Sequence, residues 1–417
     1  MSRSDELTEV PLNAKQDLKV AYMMSRFPKL TETFILNEII ALKARGVTVE
    51  IFPLWRVETD KVHPSAEALM DEVHFLPHLN LTMIKDNLYF MLSRPRRYFN
   101  ALGALISGNR KSFRFLLGAL VYFPKLATFA RAMEQAGIDH IHAHFANHPA
   151  AAAYGLNLLT GIGWSFTAHG SDLHRRQTML RRKIEKADFV VAISEYNRRF
   201  MQPHTDKSEL DKIHVVHCGV DTSLFQKREK LPGFNIICVG ALYELKGQRH
   251  LIEACAKLKW KGWHCHIVGG GVDLSALKAL TSKLGLDDQI TFHGPCTSER
   301  VAQLFSQVQV ACSPSAPTAD GRREGIPVVL MEAAASSLPL VSSNMSGIPE
   351  LVRDGVNGFL TEPGDVDGIA HALTTLHDEP EVAARMGAQS RAIVDAEFSL
   401  SENTARLNDL FVEAKSC

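Results

Sequence analysis

The 417-residue chain has no excess of charge of either sign, because Lys plus Arg and Asp plus Glu each number 46. Global charge therefore argues neither for nor against a nucleic-acid partner, and only local clusters can decide. Cysteine is scarce: seven residues, an odd number, all in the second half and none in a C-x-x-C pair. Several lie in apolar runs, where a thiol behaves as a small hydrophobe. That usage speaks against a disulfide framework or a zinc site and fits a reducing cytosol. No uncharged apolar run reaches the length of a membrane span. The polar, acid-containing opening MSRSDELTEVPLNAKQ reads as neither a signal nor a transit peptide. Short tandem repeats are also missing. What is present is a folded composition, 46% hydrophobic and 22% charged, in a chain too long for one ordinary core.

Apolar strand-like runs alternate with amphipathic helix-length segments. LKVAYMM (18–24) reads as a buried first strand. In TFILNEIIALKARG, Phe34, Ile35, Ile39 and Leu42 recur at helical spacing and Gly46 stands where the helix would stop. VTVEIFPL, DHIHAHF, WSFTAHG, DFVVAIS and KIHVVHC continue the strand series. The charged stretch QKREKLPGFN interrupts it, and NIICVGAL, HCHIVGGG, QITFHGP, VQVACSP and LPLVSSN restart it. Such alternation forces parallel sheets with right-handed crossovers. The expected fold is α/β, two Rossmann-like doubly wound domains facing across a cleft. We expect the first domain over 1–229, the second over 230–395, and a lone helix over 396–417. Ligands of such sheets bind at the carboxyl ends of the strands.

DGRREGIPVVLME (320–332) carries the most chemistry. Proline favours the first position of a helix, so a helix should start near Pro327. The amides around Gly325, Ile326, Val328 and Val329 then point out of its positive end, where a diphosphate fits. Glu332 lies about 7.5 Å further along the axis, a suitable offset to a ribose. Glu324, before the helix, faces hydroxyls of a transferred sugar. Two surface acids flanking a core helix is the competing reading. It loses ground because Glu332 is embedded in the apolar run VVLMEAAA, where an unpaired carboxylate is costly. IVGGG (267–271) follows a strand but lacks G-x-G-x-x-G spacing and an acid for an adenosine ribose, which argues against a nicotinamide cofactor.

EGIPVVLMEAAASSLPLVSSNMSGIPELVRDGVNGFLTEPGD resembles the donor-binding signature of glycosyltransferase family 4, also called group 1, of the GT-B fold. The resemblance extends over most of the chain from about residue 18. It implies a metal-independent, retaining transferase without a cofactor, whose donor is a nucleoside-diphosphate sugar. Its paired acids fall on Glu324 and Glu332, and its final helix crosses back to the first domain. VGALYELKG (239–247) is similar to the segment whose lysine binds the donor diphosphate, here Lys246; Ala241 stands where the family usually has arginine. Arg322 or Arg323 is the candidate substitute. By the same resemblance Gly269 and Gly270 let the backbone approach the nucleotide, and the groups around Gly294 read the base edge.

SFTAHGSDL (165–173) resembles the family's strand-end histidine motif, which sets His169 near the donor sugar or diphosphate; Asp172 then orients the loop or touches acceptor. HIHAHFANH puts His140, His142 and His144 on one strand face, a pattern that invites a metal. The resemblance argues instead for no metal, with His144 or Asn147 on the acceptor side. SRFPKLTETFILNE replaces a paired-glycine loop and is similar to the variant in bacterial exopolysaccharide and colanic-acid-type transferases. Arg26, Glu32 and Thr33 would then line the cleft. A plain helix cap at Thr31 is the competing reading.

Residues 80–131 hold nine Lys/Arg and nine Phe/Tyr against one acid, Asp86. Basic residues interleaved with aromatics suit an anionic bilayer or single-stranded nucleic acid. Core helices with a solvated basic side give the same pattern. With the donor motif, the expected partners are an anionic membrane surface and a lipid-linked saccharide acceptor, not nucleic acid. The expected location is cytoplasmic, peripheral on the inner face of the plasma membrane. A sugar-nucleotide epimerase or hydrolase of the same fold, or a non-catalytic nucleotide-sugar or membrane-binding module, remains the alternative.

Overall fold

A computed structural model describes residues 18–28, 33–57, 64–77, 80–175, 177–225 and 231–416. Six strands form the first sheet: β1 (Lys19–Phe27), β2 (Thr48–Arg56), β3 (His140–His144), β4 (Gly163–Ala168), β5 (Phe189–Ala192) and β6 (Ile213–Val215). Their order is β2-β1-β3-β4-β5-β6, and every pairing is parallel. The second sheet holds β7 (Phe234–Val239), β8 (Trp263–Val268), β9 (Ile290–Gly294), β10 (Val310–Ser313), β11 (Leu340–Ser343) and β12 (Gly358–Thr361). Its order is β12-β11-β10-β7-β8-β9, again all parallel. In each sheet the chain winds to one edge, returns to the middle and winds to the other. The two switch points, between β1 and β3 and between β7 and β10, leave crevices at the strands' carboxyl ends.

Helices cover both faces because the strands are apolar on both sides. Ile141 and Ala143 of β3 join a core with Leu126, Phe129 and Ala130 of the helix Phe113–Ala136. The opposite face of β3 presents His140 and His142, whose rings lie 5.4 and 5.2 Å from Phe411. Phe411 belongs to the last helix, Leu400–Ser416, which crosses back onto the first domain. Arg45 also donates to Ser401 O across that contact. The lone terminal helix thus buries part of one face of the first sheet, beside the helix Thr33–Ala44.

Two further ties join the domains, and a third joins the segment before the second domain to the end of the chain. Both carboxylate oxygens of Glu350 accept from the amides of Glu195 and Tyr196, each at 2.9 Å, at the start of the first-domain helix Glu195–Met201. A carboxylate there also complements the helix dipole. Arg175 pairs with Asp320 at 2.9 Å. Val220 exchanges backbone hydrogen bonds with Phe398 and Leu400.

Candidate functional site

The carboxyl ends of both sheets face each other across a cavity of about 1020 Å³. Its second-domain wall is built from three turns. The first follows β7 and carries Gly240, Ala241 and Lys246; the second follows β8 and carries Gly269 and Gly270. Gly269 has φ +138, and a side chain there would overlap the Gly240 carbonyl, so only glycine lets the two turns meet. Pro295 and Cys296 after β9 complete this shelf. Gly294 sits just behind it, its carbonyl accepting from the Gly269 amide at 2.9 Å.

The third turn leads into the helix Val328–Ala335, with Pro327 as its N-cap. Gly325, Ile326, Pro327, Val328 and Val329 all line the cavity. Glu324 also lines it and pairs with Lys246 at 2.9 Å, their side chains only 13% and 16% exposed. Burial pulls the Lys246 ammonium down, but Glu324 more than offsets this, so Lys246 stays above the ordinary lysine range. Glu332, one helical turn in, also faces the cavity, and burial pushes its carboxyl up to about 7. Among the described residues no cation lowers that value. Arg322 turns outward to Asp320, whereas Arg323 reaches the cavity wall. Of the two candidates for the missing arginine, Arg323 has the better position.

The first-domain wall carries Phe34, Phe145, His169, Gly170 and Asp172. Asp172 is taken up by the backbone: its oxygens accept from Ala146 N at 2.7 Å, Gly170 N at 2.6 Å and His169 N at 3.2 Å. It therefore clamps the loop after β3 to the loop after β4. Buried Lys183 reinforces the clamp by donating to the carbonyls of Ala146 and Asn147. The His169 ring is set between Phe34 and Phe145, at 4.9 and 4.7 Å, and burial lowers its pKa to about 4.

Some expected positions lie elsewhere. His144 is fully buried behind His169, with its Nδ1 3.1 Å from His169 Nε2, so it cannot touch an acceptor. The strand alternation set its face correctly, but the final helix and the helix Thr33–Ala44 cover that face. Asn147 is half-buried outside the cavity lining, its Oδ1 unpaired among the described residues. Arg26 is exposed near the end of β1, away from the lining, whereas Thr33 belongs to it. Glu32 and the capping candidate Thr31 fall outside the described residues.

Glu38 was not singled out from the sequence. It lies on the helix Thr33–Ala44, hydrogen-bonded to Tyr22 and 3.1 Å from His144 Nε2. The available signal was an acid within the apolar run TFILNEIIAL, the same signal that marks Glu332. Glu38, His142 and His144 are the donor grouping that could hold a metal among the described residues. Each already has protein partners: His142 meets Ser165 and Thr167 at 2.8 and 2.9 Å, and His144 bridges Glu38 and His169.

The family described as glycosyl transferases group 1 matches residues 220–393, and that described as glycosyltransferase family 4 matches 31–224. The chain is 31% identical over 377 residues to WcaL of Salmonella typhimurium, named for colanic acid biosynthesis, covering 85% of this chain and 90% of that one. It is 29% identical to the amylovoran biosynthesis glycosyltransferase AmsK of Erwinia amylovora, covering 92% and 96%. Among solved structures, it is similar in fold to a Rickettsia africae glycosyltransferase (TM-score 0.71, 18% identity, 95% and 98% covered). It is equally similar to Anabaena Alr3699/HepE in complex with UDP and glucose (TM-score 0.71, 18% identity, 94% and 99% covered).

Proposed function

Because the chain belongs to the group 1 glycosyltransferases of family 4, we propose that it moves a sugar from a nucleoside diphosphate to a saccharide hydroxyl with retention of configuration. The observation that carries this reading is the Lys246–Glu324 pair at the mouth of a helix that also carries Glu332. The helix start and Lys246 suit a diphosphate, whose charge grows as the sugar leaves. Glu332 lies where a ribose diol would reach it, and Glu324 is placed for sugar hydroxyls. Glu324 is held by Lys246 rather than free as a nucleophile, which favours a same-face route over double displacement. The departing diphosphate then takes the acceptor proton. WcaL and AmsK are named for exopolysaccharides, and we assign this chain to that class of product.

The test supplies UDP-, GDP- and ADP-sugars with and without a lipid-linked saccharide and follows nucleotide release. Acceptor-dependent release with retained anomeric configuration, undiminished by a chelator, supports the proposal. Release without acceptor indicates a hydrolase, an isomerised donor an epimerase, and binding without turnover a non-catalytic module.

The acceptor reading rests on the helices Leu81–Ser93, Pro95–Asn109 and Phe113–Ala136. They leave Leu81, Leu92, Phe99, Phe113, Leu117 and Val121 each about half or more exposed. Lys85, Arg96, Arg97, Arg110, Lys111 and Arg114 are exposed on the same three helices and the turn between the last two. The other three cations of the stretch are taken up internally: Lys125 by Leu54 O, Arg94 by Glu134, and Arg131 over the Tyr89 ring. Exposed apolar and basic side chains on one group of helices suit an anionic bilayer, where each cation adds about 1 kcal/mol. Phe113–Ala136 is long and apolar enough to span a membrane, yet half of its apolar window is buried in the first domain. We therefore read it as lying on a membrane, on the cytoplasmic face where nucleotide sugars are found. Sedimentation with phosphatidylglycerol vesicles, lost on Phe113→Glu with Leu117→Glu, tests this reading.

A further inference from the structure

Behind the cleft wall runs a chain of buried side chains that the reaction as described leaves unused. Tyr22 Oη donates to Glu38 Oε1 at 2.6 Å, and the same oxygen lies 3.1 Å from His144 Nε2. His144 Nδ1 lies 3.1 Å from His169 Nε2, and His169 Nδ1 lies 3.9 Å from Cys218 Sγ. The members come from β1, the helix Thr33–Ala44, β3, the end of β4 and the segment after β6. His169 and Cys218 line the cavity; Tyr22 and His144 are fully buried.

One anchor sets the polarity of every link. An ionised carboxylate only accepts hydrogen bonds. Glu38 Oε1 accepts from Tyr22 Oη and lies 3.1 Å from His144 Nε2, so it is placed to accept from both. Burial and the neighbouring Glu38 raise the Tyr22 phenol well above its usual value, so it remains a donor. Taken as a neutral imidazole, His144 then carries its proton on Nε2 and keeps Nδ1 as a lone pair. His169 donates to that lone pair from its own Nε2. Its Nδ1 is left as an acceptor beside the Cys218 thiol, which burial keeps protonated.

We propose that Glu38 is a positioning residue that acts through His144 to hold His169 in one orientation and in its Nε2–H tautomer, with Nδ1 presented to a hydroxyl of the bound sugar. This rests on the proposed place of His169 at the donor. An unconstrained neutral imidazole divides between two tautomers, and the other one would make Nδ1 a donor to the hydroxyl oxygen instead of an acceptor of its proton. Hydrogen bonds from an outer partner commonly decide that choice. Asp172, the other charged group facing His169, has its oxygens on backbone amides and leaves the ring nitrogens to His144 and the cleft. Phe34 and Phe145 fix the ring plane but cannot select a tautomer.

Nitrogen-15 spectra of histidine-labelled full-length protein test this without substrate, with the His169 signals assigned by their loss in His169→Gln. The wild type should show Nε2 protonated and Nδ1 bare. Glu38→Gln should mix the tautomers, whereas Tyr22→Phe, which keeps the carboxylate, should preserve the wild-type pattern. With donor and acceptor, Glu38→Gln should lower kcat about ten- to a hundredfold, the range for outer-partner losses, and leave KM for the donor unchanged. A His169 Nδ1–H signal in the wild type would overturn the proposal even if neither Glu38→Gln nor Tyr22→Phe folds. So would wild-type kcat in Glu38→Gln, or a stoichiometric metal ion held by Glu38, His142 and His144. A wild type that turns over no donor would overturn the functional reading alone, because the tautomer is read without substrate.

Discussion

Gly170 of the first domain and Gly325 of the second meet backbone to backbone at the floor of the cleft. A Cβ on Gly170 would lie 3.1 Å from Gly325 N, and one on Gly325 would lie 2.5 Å from His169 O. The donor-side turn and the His169 loop are thereby set in register with each other, so a single methyl group separates what the cleft brings together. Overpacking of this kind costs about 1–3 kcal/mol. Gly325→Ala should lower kcat/KM about ten- to a hundredfold and lower the melting temperature by a few degrees. Steady-state kinetics beside a melting curve checks both.

The Lys246–Glu324 pair gives a second expectation. Lys246→Met removes the cation nearest the proposed leaving group and should lower kcat about 10²–10³-fold, the usual scale for a lost oxyanion donor. It also leaves Glu324 buried without its partner, so the empty protein should melt at a lower temperature. Glu324→Gln should lower turnover while nucleotide affinity, measured by calorimetry, is largely kept.

Much of this was readable in the sequence, and the failures share a cause. Eleven of the strands stand out as apolar runs, but β12, GFLT, has only Phe359 and Leu360 as apolar side chains and sits between the turn residues of DGVN and EPGD. Glu332 was legible because an unpaired carboxylate inside VVLMEAAA is costly, which weakens the reading of a surface acid beside a core helix. Glu38 in TFILNEIIAL offers the same sign, but the helical spacing of Phe34, Ile35, Ile39 and Leu42 accounts for the segment without it. Strand alternation correctly put His140, His142 and His144 on one face, yet nothing local says that Phe411, some 270 residues later, covers it. Arg322 and Arg323 are adjacent in a loop without periodicity, so only the turn itself decides which one reaches the cavity.

Glu332 makes the empty protein pH-sensitive. Its carboxyl titrates near 7 in the folded state and at the ordinary 4.5 when unfolded. The folded state holds that proton more tightly, so the contribution is present below 4.5 and is lost as pH rises through 7. Glu332→Gln should therefore raise the melting temperature at pH 8 and change it little at pH 4.5. A ribose diol donates to the ionised form, so nucleotide affinity of the wild type should rise from pH 6 to pH 8. Glu332→Gln should lose that rise; melting curves and calorimetry across this range decide.

The buried histidines act with the opposite sign. Burial lowers His140 to about 3 and His169 to about 4, and holds His142 well below its usual value. Unfolded, each takes a proton near 6.5. Stability should therefore fall as pH drops below 6.5, by up to about 1.4 kcal/mol per unit for each group until its folded value is reached. Urea titrations between pH 7 and pH 5 measure this directly, and a flat profile would contradict it.

Thermal unfolding with a panel of UDP-, GDP- and ADP-sugars is the most direct test of the donor site. A donor at one hundred times its Kd stabilises by about 2.7 kcal/mol, a shift of several degrees. The assignment predicts that at least one donor gives this shift in the wild type and loses most of it in Glu332→Ala. No shift with any donor, or an equal shift in Glu332→Ala, would contradict it.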